Sequence, residues 1–434
     1  MQKNFIFTFN LQQLTLLFLF VIAHFNIINL YSTEKEIEND FQLGIDNFIE
    51  NTPTELIGKN IIILANQASR TKDNISTIDA LKSSKKVNIS YILVPEHGYF
   101  TSVPAGDPVE NDSINGIPLI SLYGKSKTPS KTLLSQSDAI LIDIQDIGVR
   151  SYTFISTVYN LLAVAAELGK NVYILDRPNP LGGIIVDGNL LDPKFKSFVG
   201  MLPVTYLHGC TIGELCNMLN EQNWLETKEG NKVKCEIKVI KMSNWERWKT
   251  WEDLDLNWIP TSPHIPTVNA IKGAAVLGTI GELGVISIGI GTTLPFQYLG
   301  GPTFDYDKFS ENLGGSTANN QSINDYGVDA IKVKYRPFYG LYSGKNINGV
   351  LLNFINTNQL LPYSYGVEIL NYLKINNFDI FPTDRKKYEM FNKVNGSNIY
   401  TKFIFGEITL KEIKKIINND KKTFLELRKK YLLY

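Results

Sequence analysis

At 434 residues the chain is long enough for two or three domains with a sizeable core. Its 43 Lys and Arg balance 43 Asp and Glu, which excludes a global field that would draw it to nucleic acid or anionic lipid. Cys210, Cys216 and Cys235 are too few and too scattered for a disulfide framework or a zinc knuckle, so buried free thiols are expected.

The first element is the N-terminal segment. Lys3 precedes the apolar run LTLLFLFVIAHFNIINL from Leu14 to Leu30, and the acidic stretch Ser32 to Asp40 follows it. That order of basic start, apolar centre and polar exit is the pattern of an export signal, so residues 1–32 are expected to be a signal peptide or an N-terminal anchor. The protein is then exported, periplasmic or extracellular. No A-x-A site follows and the run approaches spanning length, which keeps an uncleaved anchor as the alternative. Membrane contact is expected only through that segment, and no cysteine ends the run to carry a lipid.

Beyond it, four apolar runs each stop at polar, mostly ionisable residues: IIILANQ (Ile61 to Gln67), ISYILVPEHG (Ile89 to Gly98), AILIDIQDIG (Ala139 to Gly148) and VYILDRPNP (Val172 to Pro180). Continuous β-branched runs read as strands buried on both faces, and open α/β sheets bind ligands beyond the carboxyl ends of such strands. Asn66, Glu96, His97, Asp143, Gln145, Asp146, Asp176 and Arg177 are thereby expected on one rim. Helical spacing of Phe154, Val158, Leu161, Leu162 and Ala165 predicts a helix from about Ser151 to Leu168, closed by Gly169. Thr211 and Glu214 form a capping box that opens a second. Alternating strands and helices imply a mainly parallel, doubly wound sheet.

From Trp245 to Thr267 the Trp and Pro punctuation (WERWKTWEDLDLNWIPTSPHIPT) predicts a long structured loop. Gly273 to Gly301 is Gly-rich, and its backbone is expected to turn closely or to approach a ligand. Past it, a strand over Gly349 to Ile355 and helices near Ser364 to Leu373, Leu410 to Asn418 and Lys421 to Tyr431 outline a smaller α+β region. The division expected is a first domain over 40–302 and a second over 303–434.

Glu96 is the sharpest candidate for chemistry. Following Pro95 at the end of an apolar strand, it is partly desolvated, which favours its protonated form and suits a proton donor to a glycosidic bond. The competing reading is a Glu that caps a helix or pairs with Lys. Asp143 and Asp146 form a second acidic signal, with Asp143 the more buried, and Arg150 and Arg177 are natural partners for an anionic substrate group or for those acids. His97, His208 and His264 match no metal signature, so they read as hydrogen-bonding or interior imidazoles and no metal is expected. The turn after the first strand, ANQASRT, offers no glycine-rich phosphate cradle, and no nucleotide is expected.

At these residues the chain resembles the exo-β-N-acetylmuramidases of the NamZ type. The resemblance rests on PEHGYF, AGDPVEND, LIDIQDIGVRSYTFIST, LDRPNPLGG, FVGMLPVTYLHGCTIGELC, WIPTSPHIPT, GIGTTLPFQYLGGP and the terminal LRKKYLLY, in that order. It implies a Rossmann-like domain without a nucleotide, a smaller C-terminal α+β domain, a cleft between them, and removal of non-reducing terminal N-acetylmuramic acid from peptidoglycan fragments. Glu96 is implied as the catalytic residue, with Asp143 or Asp146 assisting. Arg150, Asp176, Arg177 and Asn179 are implied as site residues by the resemblance, Asn66, His97, Gln145, Tyr152 and His264 are expected to join them as substrate contacts, and an arginine, Arg150 before Arg177, is expected to read the lactyl carboxylate. Two positions depart from the family pattern: His264 stands where many members read Asn in PSPNxPT, and Ile290 where many read Arg in GRGT. The alternatives are an exported amino-sugar-binding protein without catalysis, or a hydrolase of a different amino sugar.

Overall fold

The four apolar runs lie side by side as parallel strands. The computed structural model describes residues 41–313, 326–355, 360–376 and 380–434, and the predicted export segment lies outside them. The main sheet contains β1 (Asn60–Leu64), β2 (Asn88–Val94), β3 (Asp112–Ile114), β4 (Ile117–Ser121), β5 (Ala139–Ile142) and β6 (Asn171–Leu175). A separate antiparallel pair, β7 (Asp187–Leu190) and β8 (Thr205–Leu207), precedes its last strand, β9 (Glu236–Ile240). The order across the sheet is β3-β4-β2-β1-β5-β6-β9, parallel throughout except for β3. The chain therefore winds outward from β1 in one direction and from β5 in the other, and the switch point lies between them.

Both faces of the sheet are apolar. Ile62, Leu64, Ile140, Ile142, Val172 and Ile174 pack under the helices Phe154–Glu167 and Ile212–Glu221. The alternate residues Ile61, Ile63, Leu141, Tyr173 and Leu175 pack on the opposite face with Ile45, Phe48, Ile78 and Leu81. Each such side chain removed from water contributes about 1.5 to 3 kcal/mol, which is why the runs read as unbroken rather than alternating. The second helix opens with the Thr211–Glu214 capping box, both halves formed. The first begins at Phe154, a few residues later than its periodicity predicts, and ends before Gly169 at φ +61°.

The smaller sheet has the order β10-β12-β11, all antiparallel: β10 (Tyr298–Gly301), β11 (Val328–Tyr335) and β12 (Ile347–Phe354). Before it, Val268–Gly281 is a helix, so the first part of the Gly-rich run is not the turn its composition predicts. The close approach is real: a Cβ on Gly273 would collide with the Phe296 carbonyl, and one on Gly366 with that of Val276, where helix Pro362–Asn376 packs on this helix. The two terminal helices expected are one, Leu410–Arg428. Its Asn-Asn-Asp centre reads locally as a break, yet the Asp420 carboxylate accepts the Leu190 N–H at 3.0 Å and Ile417 and Phe424 are buried on either side. This helix returns to the first layer, where Arg428 donates to the carbonyls of Gly183, His208 and Gly209. Among the described residues no helix is long and apolar enough to cross a membrane. All three cysteines are buried and unbridged.

Candidate active site

The chain leaves β2 through Pro95-Glu96-His97-Gly98, a tight turn in which the Gly98 N–H donates to the Pro95 carbonyl at 3.1 Å. His97 and Gly98 both take φ +73°. For a non-glycine residue that conformation costs about 1 to 2 kcal/mol, and surrounding contacts must hold it. They do: His97 Nδ1 bonds the Val103 carbonyl at 2.8 Å, and the Val103 N–H donates to the His97 carbonyl at 3.3 Å. A carbonyl only accepts, so the imidazole carries its proton on Nδ1 and presents a lone pair at Nε2. Burial holds this imidazole below its ordinary pKa, against the raising effects of the Val103 carbonyl and of Glu96.

The turn aims Glu96 at the entrance of helix Phe154–Glu167. One carboxylate oxygen accepts the Thr153 hydroxyl at 2.5 Å and the other the Gly106 N–H at 2.8 Å. Tyr123 lies close enough for Glu96 to add to the rise that burial imposes on its phenol. Glu96 is only 5% exposed, yet it lines a cavity of about 440 Å³. His97, Tyr152, His264 and Glu282 line it as well, together with the apolar Ile286, Ile288, Ile290 and Phe296. The Tyr152 hydroxyl donates to Thr261 Oγ1 at 2.8 Å, which ties the cavity to the Trp- and Pro-rich loop. From the same loop His264 bonds the Tyr339 hydroxyl through Nε2 at 2.7 Å and stacks on that ring. Burial lowers His264 as well, assisted by His97.

Comparison with known proteins follows the same two layers. Residues 61–269 match the N-terminal model, and residues 276–434 the C-terminal model, of exo-β-N-acetylmuramidase NamZ. The peptidoglycan β-N-acetylmuramidase NamZ of Bacillus subtilis strain 168 is 32% identical over 401 residues, 91% of each chain. The chain belongs to the NamZ family. Crystal structures of two DUF1343 family proteins from Bacteroides fragilis superpose with TM-scores of 0.82 and 0.70, at 32% and 29% identity, over 91% of this chain and 99% of each of theirs.

The residues that carry the NamZ resemblance do not all reach the cavity. Glu96, His97, Tyr152 and His264 line it together. Asp143, expected as an assisting acid, does not: it is fully buried in a bidentate pair with Arg177 and also accepts the Thr77 hydroxyl. These donors occupy both its oxygens, and the cluster fills the switch point of the sheet. Arg177 is engaged there too, and its Nη2 also donates to the Arg70 carbonyl at 2.6 Å. Arg150, expected to read a carboxylate, instead donates to the carbonyls of Asn189, Val204 and Asn395 at 2.8, 2.8 and 2.6 Å. It ties β7, β8 and the C-terminal region together and does not line the cavity.

The other expected contacts also lie outside the lining of this cavity. Asp176 accepts from the Thr211 hydroxyl, the Gly213 N–H and the Tyr434 hydroxyl, at 2.7, 2.9 and 2.7 Å, and so anchors a helix start and the chain end. Asn179 bridges the Leu181 N–H and the Cys210 carbonyl, and Asn66 Oδ1 accepts the Ala68 N–H. Gln145 donates to the carbonyls of Asp146 and Pro178. Asp146 is intermediate: one oxygen accepts the Gly148 N–H at 3.0 Å, the other is buried without a partner among the described residues, and burial pushes its pKa up to about 7. It is outside the lining but acts on Tyr152 through its charge. His208 is an interior imidazole, pushed down to about 3 by burial.

Sequence reading missed Glu282 and Thr153. Glu282 follows helix Val268–Gly281 and lines the cavity, with burial raising its pKa. A signal was present, because Glu282 is the sole charged residue between Gly273 and Gly301. Thr153, whose hydroxyl holds Glu96, precedes the helix start and carried no local sign of that role.

Proposed function

We propose that the protein is an exo-acting glycosidase that releases non-reducing terminal N-acetylmuramic acid from peptidoglycan fragments, with Glu96 as the proton donor. The observation that carries this reading is a buried carboxyl group held by the Thr153 hydroxyl and the Gly106 N–H in the wall of a cavity sized for a small ligand. Family membership, and the β-N-acetylmuramidase activity by which the Bacillus subtilis relative is named, support the same reaction class.

Protonation of the glycosidic oxygen by Glu96 lets the bond break toward an oxocarbenium-like centre. Asp143 is spent on Arg177, so the second group is either Glu282, the other acid in the lining, or the sugar's own 2-acetamido oxygen. His97 Nε2 accepts from a sugar hydroxyl, and the Tyr152 ring gives the sugar an apolar face to lie on. The apolar run Leu14 to Leu30 supports export, and with it a role in cell-wall turnover or recycling.

The test is release of N-acetylmuramic acid from a chromogenic β-N-acetylmuramide and from the non-reducing end of a muramyl disaccharide. Turnover of both by the wild type, and loss of disaccharide turnover in Glu96→Gln, uphold the reading. Saturable binding without turnover would leave a sugar-binding protein in its place.

A further inference from the structure

On the loop between β11 and β12, three large apolar side chains remain in water: Phe338, Tyr339 and Leu341, 67%, 43% and 37% exposed. Leu341 and Ala105 are both exposed and both line the cavity, so they mark its mouth. Glu96 is held at this mouth, since the Gly106 N–H beside Ala105 donates to it.

The loop is pinned in place. The Phe338 N–H donates to the Gly291 carbonyl at 2.7 Å, and a Cβ on Gly291 would collide with the Tyr339 carbonyl. The Tyr342 hydroxyl donates to the Val285 carbonyl at 2.9 Å. Tyr339 is fixed at its hydroxyl by His264 Nε2, and the Phe338 ring stands edge-on to it with centroids 5.1 Å apart. His264 lines the cavity, and His97, next to Glu96, is near enough to act on it through its charge. The two rings therefore stand at the rim, on the side where Glu96 meets the glycosidic oxygen. Apolar side chains fixed in water forgo the gain of burial, and such patches mark ligand surfaces.

Resting on the glycosidase reading, we propose that Phe338 and Tyr339 form a platform for the next sugar of the glycan, on the leaving-group side of the bond that Glu96 protonates. An exo-acting enzyme encloses the terminal sugar and lets the rest of the chain run out of the mouth. A gluco-configured amino sugar points axial C–H bonds from the faces of its ring, and these meet the negative face of an aromatic side chain. Rings held in position beforehand cost the sugar little ordering entropy.

The experiment measures kcat/KM of the full chain on two substrates. Methyl β-N-acetylmuramide has an alkyl leaving group but no second sugar; the disaccharide has the muramyl unit β-linked to N-acetylglucosamine. Both carry the same lactyl carboxylate, so any pairing with Arg336, exposed at the start of this loop, cancels from their ratio. Phe338→Ala should lower the disaccharide-to-methyl ratio by about 3- to 10-fold, the size of one aromatic stacking contact. Phe338→Tyr keeps the ring and should keep the ratio. An unchanged ratio in Phe338→Ala overturns the proposal, and if sedimentation then shows a wild-type dimer that the variant dissociates, the patch is a contact between copies of the chain. Wild-type turnover of neither substrate overturns the glycosidase reading alone, and calorimetry with the two sugars then decides. Disaccharide binding weakened by Phe338→Ala relative to the methyl glycoside upholds the platform; an unchanged ratio of affinities, or binding of neither sugar, overturns it.

Discussion

Glu96→Gln separates the chemical role of this residue from its place in the fold. The glutamine keeps one carbonyl oxygen for the Gly106 N–H, and its NH2 faces the Thr153 hydroxyl, which rotates from donor to acceptor. The substitution therefore leaves no buried polar group stranded and should cost less than about 1 kcal/mol of stability. What it removes is the transferable proton. General acid catalysis contributes about 10² to 10⁴ in rate, or roughly 3 to 5 kcal/mol of barrier at 1.36 kcal/mol per tenfold. The loss should depend on the leaving group. An aryl glycoside with an acidic phenol departs without protonation and should lose little, whereas a disaccharide should lose the full factor. Steady-state kinetics on both substrates, with thermal melts of both proteins, make the comparison. Unchanged kcat on the disaccharide in a folded variant would refute the assignment, and equal losses on the two leaving groups would make Glu96 something other than the acid.

Arg150→Met should lower stability by about 3 to 5 kcal/mol in urea titrations, because three buried carbonyls lose a charged donor, while kcat/KM changes equally on muramide and glucosaminide. A loss confined to the muramide would return Arg150 to substrate recognition. For Asp146, burial raises the native pKa to about 7, above the unfolded value, so the native state holds the proton longer. Its contribution to stability is fully present below about pH 4 and is lost as pH rises toward about 7, and Asp176, pushed up to about 6, adds to the same decline. Asp146→Asn should consequently gain stability over the wild type as pH rises through that window, by denaturant midpoint; a constant difference would refute it. For the N-terminus, mass spectrometry of the mature protein should find a start between Tyr31 and Lys35, and an intact Met1 in the membrane fraction would favour the anchor.

Local pattern was enough for the strands and the helices that rest on short-range chemistry. The runs ending at Asn66, Glu96, Asp143 and Asp176 could be read as neighbouring buried strands because both faces of β1, β2, β5 and β6 are apolar, and the Thr211–Glu214 box is a contact between residues three apart. The family was legible for a similar reason, since its motifs are contiguous in the chain. Local reading failed where a distant segment completes a group. Asp420, inside one long helix, accepts from the distant Leu190, and the helical position of Gly273 has no room for a Cβ because the Phe296 carbonyl lies against it.

The candidate site divides in the same way. Glu96 and Asp143 are both carboxylates at strand ends, and although the sequence ranks Glu96 first, it does not give the partners that each meets. Arg177 and Thr77 satisfy the one, while Thr153 and Gly106 turn the other toward the cavity. Arg150 next to an acidic motif reads as a ligand for an anion until the carbonyl of Asn395 arrives from the C-terminal region to claim it. Sequence alone determined which ionisable residues stand at the strand ends, because hydrophobic periodicity is local. Only the tertiary structure decided which of them line the cavity, because a buried charge goes to whichever partner the fold brings within hydrogen-bonding distance.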